Sequence, residues 1–219
     1  AQLKGYIAIL DGKSGLPTQF TFEPSDHPLW SPDGNQMAFS SDAKGIMLKS
    51  ITGSADRSLS AKGLPVDWSS DGRFLLYVTN LTFTVAKGDI WALSVDGSQE
   101  PFPVAHTPSD ERDAQFSPDG KWVVYASDRS GRFDIYVEPF SGHESKVAVS
   151  QQISRNGGVQ PRWRSDGKAL FYIAPNGELV EVPIQSDLNS QAVQPGVAVV
   201  LFPTTVLFGN VNSRQQYAI

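Results

Sequence analysis

The sequence predicts an all-β fold, a β-propeller of four-stranded antiparallel blades. Three observations predict it: a recurring turn, the period at which it recurs, and a second motif in step with the first. The turn is Phe116-Ser117-Pro118-Asp119-Gly120, repeated as Trp30-Ser31-Pro32-Asp33-Gly34, Trp68-Ser69-Ser70-Asp71-Gly72 and Trp163-Arg164-Ser165-Asp166-Gly167. Its aspartates fall 38, 48 and 47 positions apart, and a motif at such a period marks an array of like units. Asp89-Ile90-Trp91 and Asp134-Ile135-Tyr136 recur 45 positions apart at the same place in adjacent units, each shortly after a glycine, Gly88 or Gly131. Four short strands per unit at a period of about 40–50 residues is the arrangement of a propeller blade.

The local chemistry of the pentapeptide is that of a hairpin. Ser bonds the backbone ahead of it, Pro presets φ, Asp suits the third place and Gly supplies a positive φ. A type I turn closed by a glycine bulge joins antiparallel strands in this way. The bland role of Asp33, Asp71, Asp119 and Asp166, with Gly34, Gly72, Gly120 and Gly167, is therefore turn formation. Each turn is followed by an apolar run, such as Phe74-Leu75-Leu76-Tyr77 or Trp122-Val123-Val124-Tyr125, as in a strand buried on both faces.

In chain order, Tyr6–Leu10 and Thr18–Phe22 read as two strands of a unit lacking its pentapeptide. The next unit has His27–Ser40 as its hairpin, then Ile46–Ile51 and a short strand near Arg57–Ser60. The following one has Pro65–Val78, Asp89–Val95 and Pro101–Ala105. The next has Asp113–Ala126, Phe133–Phe140 and Lys146–Ser150. The last full unit has Val159–Ala174, Glu178–Ile184, a polar connection at Gln185–Gln194, and Val197–Phe202. Gln215–Ile219 resembles the first strand of another. The predicted division is one domain, 1–219, with a partial blade at 1–24, blades at 25–62, 63–108, 109–155 and 156–203, and the start of a further blade at 204–219. The aromatics that open the pentapeptides are expected between blades, and almost no helix is expected.

Composition removes several functions. The 219 residues include 34 Gly and Pro, suited to a turn-rich β domain. Net charge is −5 with no basic block, which argues against nucleic acid. With no cysteine there is no disulfide framework, thiol nucleophile or thiolate metal site. No apolar run approaches the roughly 20 residues of a bilayer span, so no direct membrane insertion is expected, and no signal peptide stands at the start. His27, His106 and His143 lie too far apart in sequence to suggest a metal site. No G-x-S-x-G elbow or kinase motif occurs, so neither catalysis nor a cofactor is expected.

The pentapeptides and the Asp-Ile-Trp/Tyr strands resemble the TolB-type β-propeller repeat, a relative of the WD repeat. Asp67–Tyr77, Gln115–Tyr125, Ser130–Tyr136 and Gln160–Trp163 are similar to propellers that follow the transmembrane segment of bacterial serine/threonine kinases, notably acidobacterial ones. The resemblance covers nearly the whole chain. It implies a six-bladed ring and a periplasmic or extracellular location. It also implies a non-catalytic recognition or scaffold role, as the sensor of an attached kinase or as a TolB-like envelope protein. The alternatives are a five-bladed ring, and an accessory propeller of a prolyl-oligopeptidase-type peptidase or polysaccharide lyase.

The candidate ligand surface follows from blade geometry. Innermost strands line the channel, and alternation places the residues one and three before each opening aromatic on the face opposite it. These are Leu29 and His27, Asp67 and Pro65, Gln115 and Asp113, Arg162 and Gln160. The polar six, His27, Asp67, Asp113, Gln115, Gln160 and Arg162, form either a mutually bonded wet wall or the mouth of a site. Such a site would take a protein or peptide, or a small polar ligand. Arg57, Arg112 and Arg129 read as solvated charges.

Overall fold

The computed structural model describes residues 5–53, 56–82, 85–143, 149–187, 192–206 and 217. Among them there is no helix, and every regular element is a strand. β1 (Ala8–Leu10) pairs with β2 (Pro17–Gln19). Blade one contains β3 (Ser25–Trp30), β4 (Gln36–Ser41), β5 (Gly45–Ser50) and β6 (Arg57–Ser58). Blade two contains β7 (Leu64–Trp68), β8 (Phe74–Thr82), β9 (Val85–Ser94) and β10 (Phe102–Ala105). Blade three contains β11 (Glu111–Phe116), β12 (Trp122–Ser127), β13 (Asp134–Pro139) and β14 (Gln151–Gln152). Blade four is built from β15 (Val159–Trp163), β16 (Ala169–Ile173), β17 (Glu178–Asp187), β18 (Ala192–Pro195) and β19 (Val199–Pro203). Blades one to three are four-stranded antiparallel meanders, as the repeat predicted; in blade four both β18 and β19 pair with β17, making five strands.

The core lies in the seams between blades. Ile7 and Phe20 pack on Met37, Phe39 and Met47 of blade one. Trp68 of blade two packs with Ala38, Ile46 and Leu48 of blade one. Phe116 of blade three lies with Leu76 and Ile90 of blade two, and Trp163 of blade four with Val124 and Val137 of blade three. Each second strand therefore contacts apolar groups on both sides, and all six residues of β12 are buried. The opening aromatic of a blade packs backwards, onto the blade before it.

That direction corrects one expectation. Trp68, Phe116 and Trp163 are buried at 8, 4 and 5% exposure, but Trp30 is 45% exposed. The sheet before blade one contributes only β1 and β2 among the described residues, so no inner strand covers the indole. Three further expectations change. Gln185–Gln194 is not a loop throughout: β17 runs on to Asp187 and β18 returns beside it, from Asp187↔Ala192 to Ile184↔Pro195. The outer strand of blade three is β14, pairing Gln151 with Val137; most of the predicted Lys146–Ser150 lies outside the described residues. Arg112 and Arg129 are not simply solvated. Arg112 lies 3.6 Å from the Phe133 ring centroid, with 11% of its side chain exposed, and Arg129 lies 3.5 Å from that of Tyr136. Their flat guanidiniums cover aromatic faces, a mode open to Arg wherever a ring is presented.

Of Gln215–Ile219, only Tyr217 belongs to the described residues. It packs with Val206 against Val159 and Phe171 of blade four.

Candidate functional site

The pentapeptide aspartates are taken up by their own turns. Ser31 Oγ donates to Asp33 Oδ1 at 2.6 Å, Asn35 N donates to the same oxygen at 3.0 Å, and Gln36 N donates to Ser31 Oγ at 2.9 Å. Asp71 and Asp119 repeat this with Ser69 and Arg73, and with Ser117 and Lys121. In blade four Arg164 replaces the serine, and its Nε donates to Asp166 Oδ1 at 2.8 Å. Hydrogen bonds led by the serine hold Asp33 below the usual carboxylate range, and the Arg164 bond does the same for Asp166. Gly34, Gly72, Gly120 and Gly167 close the turns at φ between 69 and 75°.

The inner strands hold the six channel residues, and their pleat is broken. Register shifts fall between Asp26 and Leu29, Pro65 and Asp67, Arg112 and Gln115, and Val159 and Arg162. His27, Asp113 and Gln160, each three before an opening aromatic, stand at φ of 49, 57 and 53°. This left-handed backbone costs a non-glycine residue about 1–2 kcal/mol, so the surroundings must hold it. Simple alternation assumed an unbroken strand; the bulge re-aims these side chains. Pro65, at the same place in blade two, has its φ locked by the ring and cannot take that conformation.

Three of the six residues join blades by side chain. Asp67 Oδ2 accepts from Phe116 N at 2.7 Å, and Gln115 Oε1 accepts from Trp163 N at 2.9 Å. In each case the residue before one aromatic captures the amide of the next. Asp113 Oδ2 accepts in the same sense from Gln160 N at 3.0 Å. These bonds between segments 47 to 49 residues apart bring five of the six together along blades two to four. His27 stands apart. Its Nδ1 lies 3.0 Å from Asp26 Oδ1, and among the described residues no hydrogen bond or ion pair joins it to the other five.

Burial dominates the electrostatics of this wall. It pushes the Asp67 carboxyl up to about 7 against the Phe116 amide bond and Arg162, and raises Asp113 in the same way. It lowers Arg162, opposed by the charges of Asp67, Tyr217 and Asp113. At the turn end the wall opens into a cleft of about 350 Å³ lined by Leu29, Trp30, Asp67, Gln115, Pro118 and Trp163, among others.

Sequence reasoning missed two features. Tyr217 donates its hydroxyl to Gln160 O at 2.6 Å, closing the wall beyond blade four; an aromatic in a short polar segment was its only signal. A buried group of Glu111, Tyr125 and Glu138 lies in blade three, with the half-buried Arg129 beside it. There Tyr125 Oη donates to Glu138 Oε2 at 3.1 Å, and burial raises Glu138 to about 7. Carboxylates in strand runs were the available signal. The Asp-Ile-Trp/Tyr motif was seen but not its purpose. Asp134, with 0% exposure, accepts from Ser154 Oγ, Gly157 N and Ser130 Oγ and fixes the link between blades three and four. Among the described residues no group of acidic or histidine side chains is arranged to hold a metal ion.

These features define a β-propeller of antiparallel meander blades with a polar inner wall. The fold is that of TolB propellers: a protein of Agrobacterium tumefaciens described as TolB superposes with a TM-score of 0.65 at 20% identity, over 90% of this chain and 75% of that one. A puromycin-hydrolysing peptidase of Mycobacterium tuberculosis superposes with a TM-score of 0.62 at 17% identity, over 88% of this chain and 35% of that one. In sequence the chain is 26% identical over 176 residues to the uncharacterised protein Atu1656 of Agrobacterium fabrum, covering 76% of this chain. It spans 56% of that relative's length. No protein-family model matches the chain.

Proposed function

We propose that this chain is a non-catalytic recognition propeller that takes a peptide or small polar ligand at the turn end of its channel. It would serve as the extracytoplasmic sensor or protein-interaction segment of a larger bacterial protein, such as a transmembrane serine/threonine kinase or a TolB-like envelope protein. The observation that supports it best is the cleft. An exposed indole, Trp30, stands there beside Asp67, Gln115 and three serine turns. A concave site with an apolar surface and a few polar groups is the usual form of a ligand pocket. A TolB-like fold fits this reading without carrying it, since fold alone does not assign function.

The likeness to a peptidase supports a second reading, an accessory propeller beside a catalytic domain. The test is a peptide library titrated onto the whole chain and followed by tryptophan fluorescence, with turnover assays on peptide, ester and glycan substrates. Saturable quenching that weakens in Trp30→Ala, with no turnover, is expected. Reproducible turnover abolished by one substitution in this chain overturns the reading. So does a library without a binder.

A further inference from the structure

The repeat marks one place where a side chain is missing. In blade three Glu111 opens the inner strand and is fully buried. Thr107 Oγ1 and Ser127 Oγ both donate to its Oε1, the second at 3.2 Å, and Thr107 N donates to Oε2 at 3.3 Å. Both hydroxyls have counterparts at blade one. Thr21, Ser25, Trp30 and Ser41 repeat the spacing of Thr107, Glu111, Phe116 and Ser127. Ser25 also pairs with Ser41 as Glu111 pairs with Ser127. The hydroxyls are kept and the glutamate is not. Ser25 stands in its place, without a carboxylate, and its own hydroxyl donates to Glu23 O at 2.8 Å.

What remains is a pocket of about 120 Å³ between the β1–β2 sheet and blade one, lined by Thr21, Ser25, Ser41, Lys44, Phe39 and Met47 among others. The three positions that make up the Glu111 contact in blade three thus line a space here. All three residues are buried, and Ser41 Oγ has no hydrogen-bond partner among the described residues. A buried hydroxyl left unpaired costs free energy. Thr21 Oγ1 accepts from Ile7 N at 2.9 Å, which leaves its own proton to donate. At the rim Glu23 and Asp56 are already answered, by Lys44 at 3.0 Å and Lys49 at 3.4 Å. The Lys44 ammonium has donors beyond that one pairing. The later seams leave no such room. The same position is Gly63 in blade two and Gly158 in blade four, where an added Cβ would lie 2.5 Å from Val78 O and 2.9 Å from Ile135 Cγ1.

We infer that this pocket binds a short-chain aliphatic carboxylate. Its oxygens take the place that the Glu111 carboxylate holds in blade three, and its alkyl end packs on Phe39 and Met47. The volume equals that of about four molecules of liquid water, enough for an acid of about two to four carbons. Hydroxyl donors and an ammonium at the rim suit a charged acceptor, whose hydrogen bonds are stronger than those of a neutral one. The pocket shares no lining residue with the turn-end cleft, so the inference is independent of the recognition reading.

Titration of the isotope-labelled whole chain with sodium propionate, followed in amide proton–nitrogen spectra, tests it. Propionate should shift the amides of Thr21 and Ser41 saturably, with a Kd on the order of 1 mM, as suits a ligand of about five heavy atoms. Propionamide has the same shape without the charge and should bind about tenfold more weakly. Sodium chloride at equal ionic strength should give no saturable shift. Ser41→Ala should weaken propionate by about tenfold. Ser25→Glu, which supplies the carboxylate from the chain itself, should abolish propionate binding. The propionamide and chloride comparisons use the wild-type chain and do not depend on any variant folding. Propionate that shifts no amide around the pocket overturns the proposal, as does propionamide or chloride that binds equally well. So does a folded Ser25→Glu or Ser41→Ala chain that keeps wild-type affinity. None of these results bears on the cleft, where the recognition reading is tested with peptides.

Discussion

Asp67 and Asp33 show how one residue type takes opposite electrostatic roles in a repeat. Asp33 lies in an exposed turn, where Ser31 and Asn35 stabilise its charge. Asp67 faces the channel, where burial holds its carboxyl at about 7 against 3.8 when unfolded. A raised carboxyl binds a proton in the folded chain that the unfolded chain has released. Its contribution to stability is thus complete below about pH 4 and lost as pH rises through about 7. Asp67→Asn keeps an acceptor for Phe116 N and cannot ionise, so it should flatten this slope. The shift bounds the effect at about 4 kcal/mol, and water at the channel mouth reduces it to about 1–2 kcal/mol. Urea melts at pH 5 and pH 8 check this; a mutant with the wild-type pH slope contradicts the assignment. A second contrast concerns glycine. Gly34 at φ 70° faces open space, whereas a Cβ on Gly45 at φ 75° would lie 2.2 Å from Ala61 O. Gly34→Ala should cost about 1 kcal/mol and Gly45→Ala about 3 kcal/mol or more, since only the second adds a backbone clash. Similar midpoints for the two would contradict the close approach.

At the scale of the element, the inner strands of blades two to four carry their aromatics backwards onto the preceding blade while Trp30 of blade one stays exposed, so the same substitution has position-dependent effects. Trp68→Ala removes a side chain packed among Ala38, Ile46, Leu48 and Leu75 and should cost about 3–5 kcal/mol. Trp30→Ala removes an indole that is 45% exposed and should cost less than about 1 kcal/mol. Denaturant unfolding of the two variants separates them. A large loss for Trp30 would show that further chain packs on it.

For the whole molecule, the seams are not equivalent. Among the described residues the strands across the seam between blades three and four share three side-chain clasps, Asp113 to Gln160 N, Gln115 to Trp163 N and Gln151 to Val193 N. Among the described residues the strands and turns across the seam between blades two and three share one buried clasp, Asp67 to Phe116 N, and one exposed bond, Ser70 Oγ to Pro118 O. Between blades one and two, Leu29 has no acceptor to offer and Pro65 has no amide to give, so that seam rests on apolar packing and one exposed bond, from the Arg57 guanidinium to Val95 O. Native-state hydrogen exchange should find the lowest opening free energy at the first of these seams in chain order and the highest at the third. Gln115→Leu should lower protection of the Trp163 amide first. An inverted order of protection would contradict the ranking.

Much of this architecture was legible in the chain. Phe116-Ser117-Pro118-Asp119-Gly120 and its three copies announce hairpins, because turn chemistry and strand periodicity act over a few residues and leave a local trace. The runs Phe74–Tyr77 and Trp122–Tyr125 announced strands with two covered faces for the same reason. The polar character of the inner wall was legible too, in Asp67, Asp113, Gln115, Gln160 and Arg162. Only the tertiary structure decided how those residues are used. The Asp67 bond to Phe116 N spans 49 positions, and no local pattern records which amide a carboxylate will meet at that separation. The left-handed backbone at His27, Asp113 and Gln160 left no glycine to mark it, and at the last two it goes with a bond between blades, Gln160 N to Asp113 Oδ2. Trp30 and Trp68 open nearly identical pentapeptides, and one is exposed while the other is buried. Burial belongs to the neighbour that arrives to cover a side chain, so the fold and not the motif determines it.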